Sequence, residues 1–157
     1  MLRMSKLTDY GTVILAQLAA KRTGLSTAGE LAVATHLGRP TVSKLLKALT
    51  NAGLVVSERG ARGGYALARP PEAITAAEII DALEGPVAIT ACSSSKGLCD
   101  LESVCRVGTA WQRINVSIRS ALQQVTLADL QTAPEPLPPP NLRTAVGTTV
   151  SLSHGRD

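Results

Sequence analysis

The sequence predicts a mainly α fold: a winged helix-turn-helix with a small β-hairpin wing and a long C-terminal dimerisation helix. Three observations predict it. Two short helical patterns flank the tight turn "HLGRP" (36–40). A hairpin rich in glycine and arginine, "LVVSERGARGGYALA" (54–68), follows the second pattern directly. An apolar stripe at helical spacing then recurs over residues 108–125, far in sequence from the first core.

The elements follow in order. Tyr10, Val13, Ile14 and Leu18 recur at helical spacing, so a first helix is expected over Thr8–Ala20, broken by the glycine of "KRTGLS" (21–26). "TAGE" (27–30) is a capping box, in which Thr27 accepts from the backbone and Glu30 reaches back; it opens a short helix, Ala28–Thr35. Pro40 suits the first turn of the third helix. There Val42, Leu45, Leu46 and Leu49 form a buried stripe opposite Thr41, Ser43, Lys44 and Lys47, and Gly53 is placed to end the helix. Strands are expected at Leu54–Ser57 and Tyr65–Leu67, with Gly60, Gly63 and Gly64 permitting positive φ at the tip. "RPP" (69–71) is a joint, and "TAAE" (75–78) is a second capping box, opening a helix striped by Ala76, Ile79, Ile80 and Leu83 and stopped by "EGP" (84–86). In the long helix, Trp111, Ile114, Ile118, Ala121, Leu122 and Val125 share one face, which a symmetric copy would bury. A homodimer is therefore expected. Three regions result: 1–70, the DNA-binding head; 71–130, linker helix, cysteine segment and dimerisation helix; and 131–157, a proline-rich tail expected to be disordered.

Charge and composition narrow the function. The net charge of +4 is uneven: residues 1–70 carry ten Lys/Arg and three Asp/Glu, residues 71–157 six and nine. A basic front half suits a polyanion. With no Phe, and with Tyr10, Tyr65 and Trp111 as the whole aromatic set, the chain lacks the stacking platforms of single-strand and RNA binders, so the expected nucleic acid is double-stranded DNA. No apolar run reaches about 18 residues, and no membrane span is expected. The start "MLRMSKLTDYG" lacks an apolar leader core, which predicts a cytoplasmic protein. No nucleophile–base pairing, phosphate loop or HExxH pattern occurs, so an enzyme is not expected.

Two constellations carry chemistry. On the third helix Thr41, Ser43 and Lys44 are placed to read or grip the major groove, and Arg39 and Lys47 to hold phosphate. Arg59 and Arg62 stand at the wing tip, where an arginine can enter a narrow minor groove. The second constellation is "ACSSSKGLCDLESVCRVG" (91–108), which holds every cysteine of the chain: Cys92, Cys99 and Cys105, with six and then five residues between them. Structural zinc prefers close pairs and four protein ligands, and the histidines His36 and His154 lie in the turn and the tail. A reversible disulfide is open, with Lys96 and Arg106 nearby to favour thiolate, as is burial of thiols as small hydrophobes. So is an iron–sulfur cluster, 4Fe–4S or 2Fe–2S, with one position left for another ligand.

The stretches "RMSKLTDYG", "TVSKLLKALTNAGLV" and "SERGARGGYALA", with three cysteines followed by Trp111, resemble the Rrf-two (Rrf2) family of winged-helix regulators over about residues 1–130. The start of the chain looks most like its branch regulating SUF-type cluster assembly. The resemblance implies a homodimer with crossing long helices, one iron–sulfur cluster per subunit, and binding to a palindromic operator that depends on the cluster. It implies Cys92, Cys99 and Cys105 as ligands. In the IscR-like pattern a histidine lies three residues after the last cysteine; here that place is Gly108. In the NsrR-like pattern an aspartate near the N-terminus of the other subunit serves, and Asp9 matches it. The expected function is repression of a SUF-type assembly operon. A thiol- or nitric-oxide-sensing regulator without that role, or a cluster carrier, stands beside it.

Overall fold

A computed structural model of the chain describes residues 4–21, 23–88, 90 and 107–132. The cysteines Cys92, Cys99 and Cys105, and the tail beyond Thr132, lie outside them.

Helix α1 (Lys6–Ala20) starts two residues before the expected Thr8, because Ser5 caps it: its hydroxyl accepts the Leu7 amide at 3.2 Å. The Thr27–Glu30 box opens α2 (Ala28–Thr35) with both reciprocal bonds formed, at 3.1 and 2.7 Å. His36 then turns the chain with φ of 55°, a left-handed conformation uncommon for a residue with a Cβ. Helix α3 (Arg39–Asn51) carries Pro40 in its first turn, and Gly53, at φ of 72°, lets the chain leave it.

The wing is β1 (Val55–Glu58) paired antiparallel with β2 (Gly64–Leu67), Val55 opposite Leu67 and Glu58 opposite Gly64. The three tip glycines divide differently from expectation. Gly60 alone among them has a positive φ, 120°. Gly63 and Gly64 are needed for close approach: a Cβ on Gly63 would collide with the Glu58 carbonyl, and one on Gly64 would lie 2.8 Å from the Ser26 carbonyl oxygen. Ser26 is the reason for that second contact. Its amide and carbonyl exchange bonds with Tyr65 at 2.9 and 2.8 Å, fastening β2 to the chain just before α2.

After a short 3-10 turn, Pro71–Ala73, the second box opens α4 (Ala76–Glu84). The long α5 (Gly108–Gln124) follows the cysteine segment. A further helix, α6 (Leu127–Gln131), was not expected; Thr126 and Asp129 form a third capping box, with Asp where Glu or Gln is usual. It returns the chain to the head. The Leu127 amide donates to the Ile74 carbonyl at 2.8 Å, and the Ala76 amide to the Val125 carbonyl at 2.8 Å. Leu127 is fully buried in the same core as Ile14, Leu31, Leu46, Leu54 and Ile79. Among the described residues no helix is long and apolar enough to cross a membrane.

Candidate nucleic-acid interface

The apolar stripe of α3 fixes where its polar side points. Val42, Leu45, Leu46 and Leu49 are each no more than 2 % exposed, and their burial leaves Arg39, Ser43, Lys44 and Lys47 exposed, with Thr41 half-buried. The wing places Arg59 and Arg62 in solvent as well. Among the described residues the ion pairs are Arg69–Glu78 and Arg119–Asp81, so none of these five interface cations is neutralised by a carboxylate there. A row of unpaired cations on a helix face and a hairpin tip attracts phosphate, with affinity that falls as salt rises.

The start of α3 differs from its neighbours. Serine or threonine side chains cap α1, α2, α4 and α6, whereas α3 begins at Gly38, as α5 begins at Val107, with no side-chain cap and no acidic residue in its first turn. Its first amides therefore have no side-chain cap, and Arg39 beside them is exposed, an arrangement suited to an anion. The missing Ser, Thr, Asp or Asn before Arg39 was the available sequence signal. The Ser26–Tyr65 fastening, which orients the wing against α2, had none: it joins residues 39 positions apart.

Asp9 lies exposed in the first turn of α1. It borders an apolar groove of about 420 Å³ lined also by Met4, Val13, Ile80, Leu122 and Val125. Its carboxylate makes no hydrogen bond or ion pair among the described residues, which leaves it available to a ligand. Nearby Glu84 is engaged instead. It accepts the Thr8 hydroxyl and, at 2.7 Å, the Ser5 amide, and these bonds hold its carboxyl below the usual range. Among the described residues no three His, Cys, Asp or Glu side chains gather to hold a metal. His36 is exposed on the turn before α3.

The face of α5 is open. Trp111 is 40 %, Ile114 44 % and Val125 36 % exposed, and no residue of this helix is buried. Arg119 of α5 grips Asp81 of α4 through its two terminal guanidinium nitrogens, Nη1 donating to Oδ1 at 3.1 Å and Nη2 to Oδ2 at 2.6 Å, which raises the Arg119 pKa further.

Residues 4–133 match the Rrf2 family, described as an iron-dependent transcriptional regulator. The chain is 38 % identical over 130 residues to the HTH-type transcriptional regulator CymR of Bacillus subtilis, covering 82 % of this chain and 89 % of that one. The solved CymR structure, described as the global cysteine regulator of B. subtilis, superposes with a TM-score of 0.64 at 36 % identity, over 83 % of this chain and 97 % of that one. IscR of T. potens is similar at a TM-score of 0.62 and 30 % identity, over 85 % and 94 %. The oxidized form of Staphylococcus aureus CymR gives 0.60 and 30 %, over 85 % and 99 %.

Proposed function

Because the chain belongs to the Rrf2 family of DNA-binding transcriptional regulators, we propose that it binds a palindromic operator as a homodimer and that its cysteines set the affinity. The DNA-binding part rests on one observation above all: the exposed, unpaired cations of α3 and the wing on a single buried scaffold. In a dimer the two α3 helices enter successive major grooves, Thr41, Ser43 and Lys44 meeting base edges and Arg39, Lys47, Arg59 and Arg62 the backbone or minor groove.

For the signal, the relatives favour thiol regulation over repression of a SUF-type assembly operon. B. subtilis CymR is described as a cysteine regulator, and the S. aureus CymR has been solved in an oxidized form. Two of the three cysteines suffice for a reversible disulfide, in which two thiols lose two electrons and two protons to an oxidant such as diamide. A second reading has its own support. Three thiols within fourteen residues exceed what a disulfide uses, and the family is described as iron-dependent. Here Cys92, Cys99 and Cys105 hold an iron–sulfur cluster, 4Fe–4S or 2Fe–2S and one per subunit, with the partner subunit's Asp9 as the remaining ligand. The exposed, unbonded carboxylate of Asp9 fits that role. A cluster, when bound, supplies an iron-dependent link between the cysteine segment and the head.

Operator affinity of the full chain, measured reduced, after diamide, and after anaerobic reconstitution with iron and sulfide, tests both. An affinity that changes with diamide, without visible charge-transfer absorption after reconstitution, supports the thiol reading. Absorption that is lost in Cys→Ala variants and weakened in Asp9→Ala supports the cluster. Equal affinity in all three states overturns regulation through the cysteines.

A further inference from the structure

Helix α4 carries three acidic side chains, Glu78, Asp81 and Glu84, spaced three residues apart, and each reaches a different element. Glu78 pairs with Arg69 at 2.8 Å, at the end of the wing. Glu84 holds the start of α1 through Ser5 and Thr8. Asp81 takes Arg119 of α5 in a two-point grip, and its Oδ1 also accepts the Val87 amide at 3.3 Å. Asn115 of α5 completes the arrangement, donating to the Val87 carbonyl at 3.2 Å. Val87, three residues beyond the end of α4, is therefore held by α4 and α5 together.

The packing gives this clasp its consequence. Helix α5 rests chiefly on α4, while α4 packs against both α1 and α3. The apolar face of α5 is open at Trp111 and Ile114, so in a dimer the partner subunit is joined through α5 and the DNA-reading α3 is joined to α5 through α4. The angle between α4 and α5 then sets how far apart the two α3 helices stand. Operators demand that distance closely, because half-sites one helical turn apart are about 34–36 Å from centre to centre. A bidentate arginine–carboxylate pair fixes direction as well as distance, which a single-point contact does not.

We propose that the Asp81–Arg119 clasp, with Asn115 on Val87 beside it, is the joint that sets the spacing of the two DNA-reading heads. The proposal rests on the dimeric, operator-binding reading above. It makes Asp81 and Arg119 positioning residues for operator choice, although neither touches DNA.

The test uses the full chain and a palindrome selected by the wild type from random duplex DNA, together with versions whose half-sites are moved by one base pair. Wild type is expected to lose about tenfold in affinity on the moved sites, a coupling of ordinary size. Asp81→Asn and Arg119→Gln are expected to lose less than about threefold, with circular dichroism melts that remain cooperative. Arg119→Lys, which keeps the charge and loses the fork, is expected to fall between them and decides the matter if the other variants do not fold. Arg69→Gln removes an ion pair of similar exposure from the same helix and is expected to behave as wild type. Wild-type spacing preference in the Asp81 and Arg119 variants, or equal relaxation in Arg69→Gln, overturns the joint. A wild type that sediments as a monomer overturns the dimeric reading and the joint with it. A wild-type dimer indifferent to spacing overturns the joint alone.

Discussion

Helices α3 and α5 both carry an apolar stripe, and a single chain fills only one of them. On α3 the stripe residues Val42, Leu45, Leu46 and Leu49 are buried to within 2 %. On α5 Trp111 and Ile114, with Val125 just past its end, remain at least 36 % exposed, and Ile118 and Leu122 half-buried. The difference separates two kinds of stability. The head is a closed unit: side chains cap α1, α2, α4 and α6, and its core draws residues from as far away as Leu127. The α5 face is half of an interface. Fully burying an exposed large apolar side chain is worth about 1.5–3 kcal/mol, so the exposed Trp111, Ile114 and Val125 give a drive toward a second copy.

The largest expected effect breaks the closed unit. Leu46→Ala removes a fully buried side chain from the side of α3 that faces the core. It should cost about 2–5 kcal/mol, read as a fall in the thermal or urea midpoint. DNA binding should go with it, because the exposed cations of α3 are aimed by this stripe.

Ile114→Asp attacks the open face instead. The substituted side chain already meets solvent in one chain, 44 % exposed, so the head should melt within a few degrees of wild type. Sedimentation should show monomer in place of dimer. Operator affinity should fall about 100-fold, as expected when two linked half-site contacts become one. If the head unfolds instead, α5 is part of the closed unit and the contrast with α3 is lost.

That contrast was legible in the sequence to a definite depth. The i, i+3, i+4, i+7 stripe, Pro40 and Gly53 define α3 locally, and so Arg39, Ser43, Lys44 and Lys47 are exposed opposite the stripe, while Thr41 is half-buried. The Thr27 and Thr75 boxes were readable because Glu stands three residues later in each. Helix α6 was not: it has five residues, and Asp129 replaces the usual Glu or Gln. The burial of Leu127 against Ile74 depends on a return of the chain that no local pattern encodes. The same holds for Ser26 on Tyr65 and for Arg119 on Asp81, which join residues 39 and 38 positions apart. Periodicity gives the face a residue occupies, and long-range polar contacts decide how those faces are set against one another.

Arg59→Ala sharpens the comparison from the side of function. The residue is exposed at the wing tip and unpaired among the described residues, so melting point and dimerisation should stay unchanged. Operator affinity should fall several-fold, and the slope of log affinity against log salt should drop by about 1, the signature of one lost phosphate contact. An unchanged slope would place the wing away from the backbone and leave α3 as the sole anchor.

The smallest effect is the response to acid, and it should touch the head together with α4 and α6, which pack on it, and not α5. Among the described residues the carboxyls held below their ordinary values are Glu30, Glu78, Glu84 and Asp129, and none is on α5. For Glu84 the Thr8 hydroxyl acts most, then the Ser5 amide. For Glu30 and Asp129 the amide of the capping threonine acts most. Partial burial opposes the shift at Glu78, and the Thr75 amide and Arg69 outweigh it. A carboxyl with a lowered folded value binds its proton more tightly when the chain unfolds. Its contribution is therefore complete above the ordinary value, near 4.5 for the glutamates, and is lost as pH falls through the lower folded value. The melting temperature of the head should be nearly level from about pH 7 to 5 and decline below about 4.5. Glu84→Gln should flatten part of that decline while lowering stability slightly at neutral pH, because the bonds to Ser5 and Thr8 no longer involve a charge. A decline equally steep in Glu84→Gln would show that the tie between α1 and α4 does not depend on this carboxylate's charge.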